Sequence, residues 1–261
     1  MEILIPVLTL GALGLIFGVG LAVASKRLAV QTDPRLEMIH GLLPGSNCGA
    51  CGGAGCFGFA EELLSGKKRP DACRVSEEKI KEKIAEILGQ KLEKNVQRIA
   101  ALHCHGGSRV KDRFLYAGLK DCVAAHLVLG GQKECVWGCL GFGTCVEVCP
   151  FDAIAMSAEG LPVVDKDKCK ACNKCVVACP KKLFSLVPVT HTVYVACSSH
   201  DIGKDTRAVC PVGCIACRKC EQVCLVDAIH VIDDCAVIDY AKCTSCGECV
   251  KACPMKTIRM R

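Results

Sequence analysis

Residues 3 to 25, ILIPVLTLGALGLIFGVGLAVAS, run for 23 positions without a charge. A bilayer-spanning helix needs about 20 predominantly apolar residues. Glu2 precedes the segment, and Lys26 and Arg27 follow it. Positive charge stays on the cytoplasmic side, so residues 1–27 are expected to form a single-pass anchor in the inner (cytoplasmic) membrane. The N-terminus should then lie outside and the rest of the chain in the cytoplasm. A cleaved signal peptide would carry a basic leading region and a shorter apolar core. Gly14 and Gly18 form a small-xxx-small pair that lets a second helix approach closely, although glycine is common in membrane helices.

Beyond the anchor the apolar pattern is short-ranged. FAEELL, residues 59–64, reads as a short helix stopped by Gly66. Ile80, Ile84 and Leu88 recur at helical spacing over residues 76–90, with Glu77 and Glu78 in the first turn where the helix dipole favours them. Residues 91–132 read as a mixed connector: VQRIAALHC, a Gly-rich loop and a short helix. The alternation in VPVTHTVYVAC predicts a strand. Ala153-Ile154, Ala228-Ile229 and Thr257-Ile258 each follow a cysteine motif, where a strand is expected to close over a metal cluster. The fold class is therefore α+β, with a transmembrane helix, one small four-cysteine domain and two tandem ferredoxin-like domains. The expected divisions are an anchor at 1–27, a four-cysteine domain with its amphipathic helix at 28–90 and a connector at 91–132. Ferredoxin-like domains follow at 133–188 and 210–261, joined by a connector at 189–209.

Composition supplies the chemistry. The chain holds 25 cysteines in 261 residues. In a reducing compartment such density indicates metal rather than disulfides, and soft thiolates select iron–sulfur clusters or zinc. Zinc ribbons use two separated Cys-x2-Cys pairs. Here Cys-x2-Cys-x2-Cys-x3-Cys recurs in four variants, three of them ending in Cys-Pro, which favours [4Fe-4S] cubanes. The formal charge of +6 is no nucleic-acid signal, because each oxidised cubane with four thiolates adds about −2. Aromatic content of 4% also offers no stacking platform for single strands.

Ligands follow from spacing. Cys48, Cys51, Cys56 and Cys73 make one compact unit, wrapped by closely spaced glycines. In two-cluster ferredoxins the fourth cysteine of each motif ligates the other cluster. Cys135, Cys139 and Cys145 should then join Cys179, and Cys169, Cys172 and Cys175 should join Cys149. In the second pair Cys214, Cys217 and Cys220 should join Cys253, and Cys243, Cys246 and Cys249 should join Cys224. The motif opening at Cys135 is irregular, with expanded glycine-rich spacing. Five [4Fe-4S] clusters use twenty cysteines and leave Cys104, Cys122, Cys197, Cys210 and Cys235; a sixth cluster would need four of these brought together by the fold. Units of about 50 residues bury too little to stand alone, so cluster ligation becomes folding free energy. The run Ser199-His200-Asp201 cannot act as a triad, because adjacent residues do not align as nucleophile, base and orienter. No catalytic residue is assigned, and no P-loop or G-x-G-x-x-G follows a strand.

The order of anchor, NCGACGGAGC with a distal cysteine, GCLGFGTCVEVCPFDAI and further ferredoxin repeats resembles the B subunits of Rnf complexes over the whole chain, in the longer form with two ferredoxin pairs. That resemblance implies membership of an ion-translocating (Na⁺ or H⁺) ferredoxin:NAD⁺ oxidoreductase, with soluble ferredoxin as electron donor and other membrane and peripheral Rnf subunits as partners. It places flavins and the NAD site in those other subunits. The alternatives are a relay component of another membrane oxidoreductase, an iron–sulfur sensor or scaffold protein, and a zinc-binding module. A sensor would need an output domain, and the assigned units leave no residues for one.

Overall fold

The computed structural model describes residues 4–27, 33–92 and 96–261; Glu2, which flanks the anchor, lies outside them. Helix α1 (Leu4–Arg27) has no acidic residue in its first turn and Lys26 and Arg27 in its last. Its span Val7–Arg27 has a mean hydropathy of 2.3, and none of it is buried against the rest of the chain. The Thr9 hydroxyl donates to the Ile5 carbonyl at 3.0 Å, so this polar group is satisfied within the helix, as a lipid environment demands.

The four-cysteine domain is built from α2 (Pro34–Leu42), α3 (Gly55–Leu64) and α4 (Glu78–Leu88). Asp33 caps α2, accepting from the Arg35 amide, and proline sits in the first turn where it costs no hydrogen bond. Gly89, at φ 65°, ends α4 in the left-handed conformation glycine adopts freely. Leu36, Ile39, Phe59, Leu63 and Ile84 pack with Cys56 and Cys73 into one core. Ile80 and Leu88 of the expected apolar stripe flank that core, half-buried.

Two lobes follow, each with two antiparallel pairs of strands. In the first, β1 (Arg98–Leu102) pairs with β4 (Phe184–Pro188), and β2 (Ile154–Met156) with β3 (Pro162–Val164). Short helices α6 (Thr144–Glu147) and α7 (Lys174–Ala178) pack between them, and α5 (Cys122–Leu127) lies in the long segment after β1. In the second, β5 (Val193–Val195) pairs with β8 (Ile258–Met260), and β6 (Ile229–Ile232) with β7 (Cys235–Ile238). Its helices are α8 (Gly203–Val209), α9 (Lys219–Gln222) and α10 (Glu248–Ala252).

These pairings cross the expected boundaries. VQRIAALHC, read as connector, supplies a strand of the first lobe, with Ile99 opposite Val187. Residues 193–195, also assigned to a connector, open the second lobe. The physical reason is that a lone pair of short strands is marginal in water, so each hairpin is joined by a second pair drawn from the ends of the lobe. Replacing Ile99 with Ala, buried opposite Val187, should cost about 2–4 kcal/mol. Under anaerobic denaturation the first lobe's share of the cluster absorbance should then bleach at lower guanidinium than the second's. An unchanged profile would return residues 98–102 to the status of a linker.

Candidate iron–sulfur centres

The backbone around each motif prepares its sulfurs for a shared cluster. Ala171 and Asn173, Ala216 and Arg218, and Ser245 and Gly247 all take positive φ, from 51° to 83°. Each pair brackets the second cysteine of its motif. Turns containing left-handed residues direct successive amides inward and form an anion-binding concavity. Amides also donate directly to thiol sulfur: Leu183 to Cys179 at 3.4 Å, Ala228 to Cys224 at 3.2 Å and Ser245 to Cys243 at 3.4 Å. Among the described residues no three His, Cys, Asp or Glu side chains close on a single-ion position. Amides aimed at soft thiolates suit [4Fe-4S] clusters.

Three of the expected foursomes, and three of the cysteines in the four-cysteine unit, are neighbouring thiols. Cys51 interacts electrostatically with Cys73, and both pack in one core with Cys56; the Cys56 amide donates to Asn47 at 2.8 Å. Cys175 is in electrostatic reach of Cys149, Cys169 and Cys172. Cys214, Cys217, Cys220 and Cys253 line one recess. Cys249 is in reach of Cys224, Cys243 and Cys246.

The fifth grouping needs correction. Cys139, Cys145 and Cys179 line one recess together with Cys122, not Cys135. Cys135 instead faces Cys104, Cys210 and Cys197. The reason is the motif's true register. Gly141 and Gly143, at φ 81° and 84°, bracket Phe142 as Ala216 and Arg218 bracket Cys217. The motif therefore starts at Cys139, and Phe142 stands where its second ligand would be. Cys122 fills the gap from the start of α5. Its amide donates to the Thr144 hydroxyl at 2.8 Å, and that hydroxyl donates to Asp121 at 2.7 Å. Asp121 also caps α5 by accepting from the Ala124 amide at 2.8 Å.

Of the five unassigned cysteines, Cys235 stays outside every foursome. Its thiol, which donates to the Cys197 carbonyl at 3.5 Å, holds the Cys197 and Cys214 thiols below their ordinary range by hydrogen bonding. Ser199 hydrogen-bonds Asp201 and Thr206, while His200 bonds the Asp233 carbonyl; this is loop structure, and no triad forms.

Comparison with known proteins finds iron–sulfur domains in three parts of the chain. A family profile for an Fe-S cluster matches residues 43–75, and 4Fe-4S binding domain profiles match 161–184 and 236–259. The B subunit of the Na(+)-translocating ferredoxin:NAD(+) oxidoreductase complex of Acetobacterium woodii is 46% identical over 98% of this chain and 77% of its own length. The B subunit of the ion-translocating oxidoreductase complex of Methanosarcina acetivorans is 40% identical over 97% of this chain and 96% of its own length. The chain belongs to the family of Rnf B subunits. A third member, the B subunit of the proton-translocating ferredoxin:NAD(+) oxidoreductase complex of Clostridium ljungdahlii, is 40% identical over 95% of this chain and 88% of its own length. As a member of the Rnf B family the chain is an iron–sulfur, electron-transferring protein, and its apolar α1 agrees with attachment to a membrane complex.

Burial governs how these thiols load. It pushes Cys145 and Cys175 up to about 12, and Cys220 and Cys249 up to about 11. In the metal-free chain they are protonated at neutral pH. A thiol raised above its ordinary value favours the metal-free fold below that value, and the benefit is lost as pH climbs through 11 to 12. Cluster ligation has the opposite sign, since each thiol must give up its proton to bind iron. Anaerobic reconstitution at pH 7 should therefore release protons, measurable by pH-stat. The guanidinium midpoint for cluster loss should fall as pH drops from about 8 to about 6; a midpoint that rises over that range would overturn this account.

Proposed function

We propose that this chain takes electrons from reduced ferredoxin and relays them through its [4Fe-4S] clusters to membrane-embedded partner subunits of an ion-pumping ferredoxin:NAD⁺ oxidoreductase, moving Na⁺ or H⁺. The observation that carries this reading is the electrostatic proximity of successive cysteine sites. Cys172 is in electrostatic reach of Cys48, and Cys175 of Cys145. The four-cysteine domain therefore adjoins the Cys149, Cys169, Cys172 and Cys175 site, which adjoins that of Cys122, Cys139, Cys145 and Cys179. The second lobe carries the remaining pair of ferredoxin sites. Ligation of each foursome belongs to the same proposal, with Cys122 in place of Cys135.

Direction follows from exposure. Cys217 and Cys246 are the exposed cysteines, and both lie in the second lobe. Arg218 and Lys219 beside Cys217 are exposed as well, giving positive ground to a carrier whose own cluster is anionic. The four-cysteine domain is joined in sequence to α1, so the relay ends where the chain meets the bilayer. Lys26 and Arg27 at the end of α1 support a cytoplasmic position for all the clusters and an N-terminus outside. The segment holding α5 exposes Leu115, Leu119, Leu127 and Leu129, an apolar surface suited to a neighbour in the complex.

In anaerobic membrane vesicles, NAD⁺ reduction by reduced ferredoxin should vanish when this chain is deleted. It should return with the wild-type chain and stay absent with Cys172→Ala. Unchanged activity on deletion would leave a membrane-anchored carrier serving some other oxidoreductase. Cys246→Ala should slow reduction of the Cys48 cluster by ferredoxin, followed by rapid mixing; an unaltered rate would mean that electrons arrive elsewhere.

A further inference from the structure

We propose that Cys104, Cys135, Cys197 and Cys210 ligate a sixth [4Fe-4S] cluster that bridges the two ferredoxin lobes. Cys104 and Cys197 come from segments read as connectors, Cys210 from the opening residue of the second ferredoxin-like unit, and Cys135 from the motif whose spacing is irregular. All four line a single recess between the lobes.

The site is pseudo-symmetric, with two ligands from equivalent places in each lobe. Cys104 follows the end of β1 by two residues, and Cys197 follows the end of β5 by two. The residues between are held alike: the His103 amide donates to the Leu183 carbonyl at 2.7 Å and the Ala196 amide to the Thr257 carbonyl at 2.8 Å. Cys135 precedes Cys139 by four residues, as Cys210 precedes Cys214. The first cysteine of each Cys-x3-Cys thus turns to the centre while the second opens its own lobe's motif.

Amides are already aimed at these sulfurs. The Cys139 amide donates to the Cys104 sulfur at 3.4 Å, and the Cys214 and Ser199 amides to the Cys197 sulfur at 3.3 and 3.4 Å. Glycine leaves room beside the cluster: a Cβ on Gly106 would stand 3.6 Å from the Cys210 sulfur and 3.9 Å from that of Cys104, and one on Gly138 3.5 Å from that of Cys135. Trp137 closes the outside. Its indole N–H donates to Asp201 at 3.0 Å and its ring meets His200 edge-on at 4.9 Å, tying one lobe to the other across the site.

The same contacts make this cluster the middle link of the relay, which rests on the function proposed above. Cys104 abuts Cys139 of the first lobe, and Cys197 abuts Cys214 of the second. One electron from a reduced cubane of the second lobe would reoxidise that cubane and reduce the bridging cluster. The bridging cluster would then be reoxidised as the same electron passes to the Cys139 cubane. Six foursomes account for all the cysteines but Cys235 among the 25.

The test is iron and acid-labile sulfide per chain, on the full-length protein purified and reconstituted anaerobically in detergent. Six cubanes require about 24 irons and five about 20. The wild type should hold about 24, Cys104→Ser/Cys210→Ser about 20, and Cys235→Ser about 24. A wild-type value of about 20, or a double variant that keeps the wild-type iron, overturns the proposal; iron lost from Cys235→Ser instead overturns the ligand set. If the double variant loses more than one cluster's iron, Cys210→Ala decides, since three thiolates remain in place. It should show the EPR signal of an oxidised three-iron cluster that the wild type lacks, and its absence counts against the site. Rapid mixing with reduced ferredoxin separates this proposal from the relay itself. In the double variant the second-lobe clusters should still be reduced while the Cys48 cluster is not. Failure to reduce even the second-lobe clusters in the wild type would remove the ferredoxin reading and leave the iron count standing.

Discussion

A thiolate can hold iron only if it has lost its proton and if the backbone carries it to within one bond of the metal, and both demands shape this chain more than any hydrophobic core does. The cores of the two lobes are small. The first centres on Ile99, Ile154, Phe184 and Val187, the second on Val193, Val195, Ile229 and Ile258, and buried cysteines sit inside both. The packing is arranged around sulfur. In the proposed ligation the fourth cysteine of each ferredoxin motif crosses to the other cluster of its lobe, so each cubane would join segments far apart in sequence. Iron–sulfur bonds thereby close loops that so few apolar contacts could not hold by themselves.

The local cost of that arrangement is visible in the backbone. Ala171, Asn173, Ala216, Arg218 and Ser245 all occupy left-handed conformations, which cost roughly 1–2 kcal/mol for a side-chain-bearing residue. Such strain persists only where the surroundings over-determine it. Cluster ligation would offset it, because the same turns aim amides at the motif sulfurs. The motif at Cys139 meets the demand with Gly141 and Gly143 and so avoids the cost. It is also the motif with Phe142 in place of a cysteine, held to the remaining thiols through Cys122 and the Asp121–Thr144 pair.

Much of this is legible in the residues. Regular Cys-x2-Cys-x2-Cys-x3-Cys spacing identifies the cubanes and predicts the crossed ligands, because there the motif itself is the local structure. The apolar run identifies α1 for the same reason. Spacing misleads where a ligand arrives from outside its motif. Cys135 reads as the start of an irregular motif, yet Cys135, Cys139, Cys145 and Cys149 repeat the offsets of Cys210, Cys214, Cys220 and Cys224. Aligning the two halves shows Cys135 and Cys210 as equivalent outliers and Phe142 as a substituted ligand. Cys122 carries no such signal, since its place depends on the fold of a segment present only in the first lobe. The pairing of β1 with β4 is equally hidden: five residues of strand announce themselves, but not their partner across the lobe.

The basic balance of the chain also finds its place once the clusters are counted. A formal charge of +6 combined with about −2 for each of the six oxidised cubanes proposed would come to about −6. Buried anionic clusters need cationic or amide neighbours, and several lysines are placed accordingly. Lys68 interacts favourably with Cys51. Lys181 lies in reach of both Cys135 and Cys179 and donates to the Val136 carbonyl at 2.6 Å, between the bridging site and its first-lobe neighbour. Burial, and after it the Arg113 guanidinium, lowers the pKa of Lys181, while Cys135 and Cys179 act to raise it. Thiolate ligands at Cys135 and Cys179 would favour the charged form of Lys181. A cation shared by two adjacent cubanes favours the more negative, reduced state of each. Such a cation would offset part of the negative charge that each added electron brings.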